Sequence, residues 1–75
     1  MNNYLIVTTT DSTGTFKDYI KLKYVENFAI SGDGERMTVN MLSGRQHYIS
    51  KKFSTCEQNS QAIAWEDLPR IICNG

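Results

Sequence analysis

One histidine, two cysteines and eight carboxylates are the side chains here best suited to moving protons, attacking as nucleophiles or holding metals. His47 is the sole histidine, and a nucleophile pair would need the fold to bring Cys56 or Cys73 to it, because neither lies at a diagnostic offset. No Ser-Gly elbow or Asp motif accompanies it. Glu66-Asp67 are neighbours ahead of Pro69, which is the pattern of an exposed element end and not of a general acid–base pair. Structural zinc takes four ligands, usually in two closely spaced pairs, and Cys56, Cys73 and His47 show no paired spacing. Ser31-Gly32-Asp33-Gly34-Glu35 carries two acids but lacks the alternating carboxylates of a calcium loop, so it reads as a β-turn. Gly32 and Gly34 precede no Lys-Ser/Thr pair of the kind that cradles phosphate. The expectation is a protein that is not an enzyme, with no cofactor and no metal.

Two other chemistries remain. At odd positions Lys17, Tyr19, Lys21 and Lys23 make a basic stripe with one aromatic, and Arg45 and His47 extend it across the sheet. Lysines track phosphates and an aromatic on a sheet offers a stacking platform, the logic of single-stranded nucleic-acid binding by small barrels. The same lysines also serve to keep a strand face wet and unpaired, and the formal net charge of zero removes the global signature of a nucleic-acid protein. The second chemistry is apolar. Eight aromatics are more than so small a core buries easily, and Tyr, Trp and Met are enriched where surfaces are made to be covered. Trp65, Tyr19 and Phe53 are the candidate protein-interaction residues. The leading expectation is a stoichiometric protein-interaction or assembly module, a regulator or adaptor that binds another protein or itself as a dimer. Single-stranded nucleic-acid binding through Lys17, Tyr19, Lys21, Lys23, Arg45 and His47 is the alternative.

Strands must position these residues. Tyr4 to Thr10 is rich in β-branched and aromatic residues, and Asp11-Ser12-Thr13-Gly14 then turns the chain. From Phe16 to Ile30 the apolar residues keep even register until Val25, where a bend or bulge is expected. Met37, Val39 and Met41 alternate in a third run. If Ser43-Gly44 were the whole loop, Val39 would pair with Tyr48 and Asn40 with His47, which places Tyr48 in the core and His47 outside. Ser54 and Glu57, or Thr55 and Gln58, have capping-box spacing, so a short helix is expected near 54–67 with Pro69 ending it. The segment Gln61 to Glu66 also alternates well enough for a strand. Arg70 to Cys73 could return as an edge strand.

Seventy-five residues make one domain, 1–75, with an expected radius of gyration of roughly 11 Å. The fold class is α+β: a small, strongly bent antiparallel sheet of four or five strands, possible as a barrel, with one short helix in the second half. This layout resembles small SH3-like or Sm-like β-barrels over about residues 4–50, an analogy of architecture that transfers no functional residues. Residues 1–53 hold seven basic against five acidic side chains, and 54–75 hold one against three. There is no signal-peptide pattern and no stretch of the roughly 20 apolar residues that span a bilayer. A cytoplasmic setting with no membrane partner is expected. Both thiols would then be free, although a bridge between Cys56 and Cys73 stays open at this stage.

Overall fold

Alternating apolar residues make strands, and here the strands fall into two antiparallel sheets. The computed structural model describes residues 4–74. β1 (Tyr4–Asp11), β2 (Gly14–Lys21), β6 (Ser54–Gln58) and β7 (Gln61–Ile63) form a four-stranded sheet in the order β2-β1-β6-β7. β3 (Val25–Ile30), β4 (Arg36–Met41) and β5 (Gln46–Ser50) form a three-stranded meander in chain order. A single α-helix among the described residues, α1 (Leu68–Asn74), ends the fold. The class is therefore α+β, antiparallel with one short C-terminal helix. The strands number seven among the described residues, not four or five, and the two sheets do not close into a barrel. The radius of gyration is 11.6 Å.

The inner faces of the two sheets meet over Leu5, Val7, Ile20, Met37, Val39 and Ile49, and α1 adds Leu68 and Ile72. Register explains this set. Leu5 faces Ile20 across β1–β2, Val7 faces Cys56 across β1–β6, and Met37 faces Ile49 across β4–β5. Residues directly opposite share a face, so each pair points inward together. The register break at Val25 is a bulge between Val25 and Asn27. Just before it, a 3₁₀ turn over Leu22–Tyr24 carries the chain from one sheet to the other.

Three sequence expectations need correction. Residues 54–63 are a hairpin and not a helix. The capping-box serine is otherwise engaged: the Ser54 hydroxyl accepts the Ser50 N–H at 3.0 Å and bonds the Thr9 hydroxyl at 2.7 Å. Asn59 and Ser60 have φ of 53° and 66°, the left-handed pair of a tight β-hairpin turn. The helix starts where it was expected to end. Pro69 sits in the first turn of α1, where a missing N–H costs nothing, and Arg70 to Cys73 continue that helix instead of forming an edge strand. Finally, the β4–β5 register is one residue away from the two-residue-loop expectation. Val39 faces His47 and Thr38 faces Tyr48, because the loop is Leu42–Arg45, closed by Met41 N–H to the Arg45 carbonyl at 2.8 Å and Gly44 N–H to the Met41 carbonyl at 2.9 Å. A one-residue slip exchanges faces. Ile49 is buried, and Tyr48 is outside with 64% of its surface exposed.

Candidate functional site

Among the described residues seven large apolar side chains remain 45–64% exposed: Phe16, Tyr19, Tyr24, Ile30, Leu42, Tyr48 and Phe53. They are not scattered. Three open grooves adjoin one another along β5, and every one of the seven lines one of them. The first, of about 550 Å³, runs between Tyr19, Lys21 and Tyr24 on one side and Leu42, Arg45 and His47 on the other. The second, of about 370 Å³, shares Arg45 and His47 with the first and adds Phe16, Asp18 and Tyr48. The third, of about 500 Å³, shares Tyr48 and Thr9 with the second and reaches Ile30, Arg36 and Phe53. Scattered single apolar residues are ordinary on a protein surface; a connected band is not.

The band follows strand edges whose backbone has no described partner. β5 pairs with β4 alone. Lys51 N–H donates to the Glu35 carbonyl and Met41 N–H to the Arg45 carbonyl, so the odd residues of β5 bond toward β4. By antiparallel alternation, Gln46, Tyr48 and Ser50 aim their N–H and C=O groups away from it. Ser50 N–H is taken by the Ser54 hydroxyl. The groups of Gln46 and Tyr48 face the grooves. The outer face of this sheet holds them in place through a polar ladder. Asn40 Nδ2 donates to Asn27 Oδ1 at 2.6 Å, Gln46 Nε2 to Asn40 Oδ1 at 2.8 Å, and the Tyr48 hydroxyl to Gln46 Oε1 at 2.8 Å. β2, an end strand of the four-stranded sheet, is the second edge along the band. Thr10 N–H bonds the Phe53 carbonyl, so the even residues of β1 bond toward β6 and its odd residues toward β2. Lys17 and Tyr19 therefore present their backbone outward.

The sequence stripe is partly gathered here. Tyr19 and Lys21 from β2 meet Arg45 and His47 in the first groove, while Lys17 lies farther along the outer face of β2 opposite Thr8. Lys23 sits in the 3₁₀ turn. The Lys21 ammonium lies 5.7 Å from the Tyr4 ring centre and 5.2 Å from that of Tyr24, and Lys23 lies 5.3 Å from Tyr24. Tyr24 and Leu42, which no sequence pattern marked as site residues, complete that groove. Phe53 lines the third groove with Lys52 over its ring at 5.5 Å. Trp65 lies elsewhere, half-buried and packed against the core beside Cys56, Ile63 and Leu68.

The proton-moving groups are dispersed. His47 and Asp18 line the same groove, but no ion pair joins them; the one ion pair among the described residues is Arg70 with Asp67 at 3.4 Å. Cys56 is buried and free, and burial pushes its thiol up to about 11, which suppresses the thiolate at neutral pH. Cys73 is free and exposed on α1. The Ser31–Glu35 loop uses its own acid: the Ser31 hydroxyl and the Glu35 N–H donate to Asp33 and hold its carboxyl below the usual range. Asp11 is lowered likewise by the Thr13 hydroxyl and N–H. Among the described residues no three His, Cys, Asp or Glu side chains converge as a metal site requires, and no helix is long and apolar enough to cross a membrane. Comparison with protein-family models, curated proteins and solved structures gives no match, which leaves the apolar band along β5 as the feature from which function is argued.

Proposed function

We propose that this chain is a non-catalytic protein-interaction module, acting stoichiometrically as a regulator or adaptor in the cytoplasm. One observation carries the reading: all seven exposed large apolar residues among those described line a single connected band. Interface cores are built this way, with aromatic anchors in pockets and a polar rim around them. Tyr19 and Phe53 belong to the band. The test is capture from lysate by the tagged chain, compared with a Leu42→Ser/Tyr48→Ser variant. Both positions are exposed, so the variant keeps the fold while losing the anchors. A partner that binds both equally refutes the band as the interface, and a monomer with no partner in light scattering and capture refutes the function.

A second reading is favoured by the first groove, where Tyr19, Lys21, Arg45 and His47 meet beside Tyr24. That combination of cations and rings suits the backbone and bases of a single strand. It requires binding of an oligothymidylate at about 50 mM salt that weakens steeply as salt rises. Flat anisotropy at that salt rules it out.

A further inference from the structure

The apolar band says that something covers this surface; the β5 edge says in what form. We infer that the partner contributes an extended, acid-flanked segment that pairs with β5 as an additional strand. The inference rests on the protein-interaction reading and specifies its geometry. The N–H and C=O groups of Gln46 and Tyr48 point into the grooves with no described backbone partner, and such a row is a template for a further strand. Strand addition supplies main-chain bonds, and alternate side chains of the added strand then enter pockets. Its inward side chains would meet Phe16 and Thr9 in the middle groove, and its outward ones would lie beside Tyr48.

Charge selects the occupant. Arg45 stands at the start of β5 and Lys51 and Lys52 follow its end, with Arg36 opposite Ser50. Lys21 and His47 border the first groove. Two acids also line the band, Asp18 in the middle groove and Asp11 in the third. Glu35 also stands opposite Lys51, yet cations outnumber acids at both ends of the strand, Arg45 and Lys21 against Asp18 at one and Arg36, Lys51 and Lys52 against Glu35 and Asp11 at the other. A second copy of this chain fits poorly: antiparallel pairing of β5 with itself centred on Tyr48 would set Arg45 opposite Lys51, and like charges directly opposite are destabilising. The same cations that disfavour that self-paired register would attract an extended segment carrying acids at both ends of a short apolar run.

The test uses the full chain and a displayed library of short random peptides. Recovered peptides should alternate apolar residues between acidic ends. On binding, amide hydrogen exchange at Gln46 and Tyr48 should slow at least about tenfold, as formation of backbone hydrogen bonds demands. Tyr48→Pro removes the edge N–H without touching a β4 bond and should abolish binding, whereas Tyr48→Thr keeps the N–H and should retain it weakened. If Tyr48→Pro fails to fold, the exchange measurement on the native chain decides alone. Peptides that perturb Tyr19 and Phe53 but leave both amides unprotected overturn strand addition while sparing the interaction reading. Recovery of basic or uncharged peptides overturns the charge argument. A library with no binders, or oligothymidylate displacing every bound peptide, overturns strand addition and the interaction reading together.

Discussion

Tyr48 and Ile49 are neighbours on β5 with opposite fates, and exchanging each for alanine measures the register directly. Ile49 is 1% exposed and sits against Met37 in the core. Truncating a buried isoleucine costs about 2–5 kcal/mol in lost transfer energy and cavity. A chain of this length has about 4–11 kcal/mol of total stability at the usual per-residue values, so Ile49→Ala removes much of it. Tyr48 is 64% exposed, leaving roughly a third of its surface to lose. At about 1.5–3 kcal/mol for a fully buried large side chain, Tyr48→Ala costs about 0.5–1 kcal/mol. Its exposed hydroxyl bond to Gln46 adds little. Urea unfolding followed by tryptophan fluorescence reads both. With m near 1 kcal/mol per molar, the Ile49→Ala midpoint falls by about 2 M or more, and that of Tyr48→Ala by about 1 M or less. Had Ser43-Gly44 formed the whole loop, the order would invert, with Tyr48 in the core and Ile49 outside. A Tyr48→Ala loss equal to or greater than that of Ile49→Ala refutes the register, and with it the exposed edge on which the proposed interaction surface depends.

Other outcomes follow from the same geometry. Ser60→Gly relieves a left-handed residue (φ 66°) in the β6–β7 turn and should raise stability by about 1 kcal/mol, seen as a higher Tm; no change or a loss would mean that 54–63 is not this hairpin. A thiol reagent at pH 8 should modify one cysteine of the native chain quickly, Cys73, and reach Cys56 only in denaturant, because burial both shields Cys56 and pushes its thiol up to about 11. The Asp11 and Asp33 carboxyls are held low in the folded state, so their contribution is present above the ordinary carboxylate pKa and is lost as pH falls through the folded values. Urea midpoints below about pH 4 should therefore decline less steeply for Asp11→Ala/Asp33→Ala than for the native chain.

Much of the fold was legible wherever one strand face is buried. Ile20 and Leu22, and Met37, Val39 and Met41 announce their faces by alternation, and all are core, whereas Leu5 and Val7 lie in the unbroken apolar run Tyr4–Val7, where only pairing with Ile20 and Cys56 decides the face. The failures occur where local signals have two physical solutions. Ser54 and Glu57 have capping-box spacing, yet the Ser54 hydroxyl finds better use bridging the nearby Ser50 N–H and the hydroxyl of Thr9, which is far away in sequence. Asn59-Ser60 looked like an interruption of a helix and is the turn of a hairpin. Pro69 is compatible with a helix start as well as with an end, and only the packing of Leu68 and Ile72 against the sheets decides between them.

The site was half legible for a different reason. Period-two patterning tells which face of a strand is wet, and so it found Tyr19, Lys21 and Lys17 on β2. It cannot tell which strand lacks a neighbour, because that depends on pairings between segments far apart in the chain. The edge of β5 exists because β6 pairs with β1 and β7 instead of following β5 in the meander. That choice leaves the backbone of Gln46 and Tyr48 open, while the Leu42–Arg45 loop register turns Tyr48 outward, between grooves bordered by Phe16 and Phe53. A surface made of strand edges is thus a property of topology before it is one of composition. Its aromatic residues could be counted from the sequence, but their alignment along one open edge required the pairing to be known. The basic residues Arg45, Lys51 and Lys52 acquire their meaning in the same step: on a paired central strand they would be ordinary solvated charge, and at the ends of an open one they set the charge that the proposed added strand would meet.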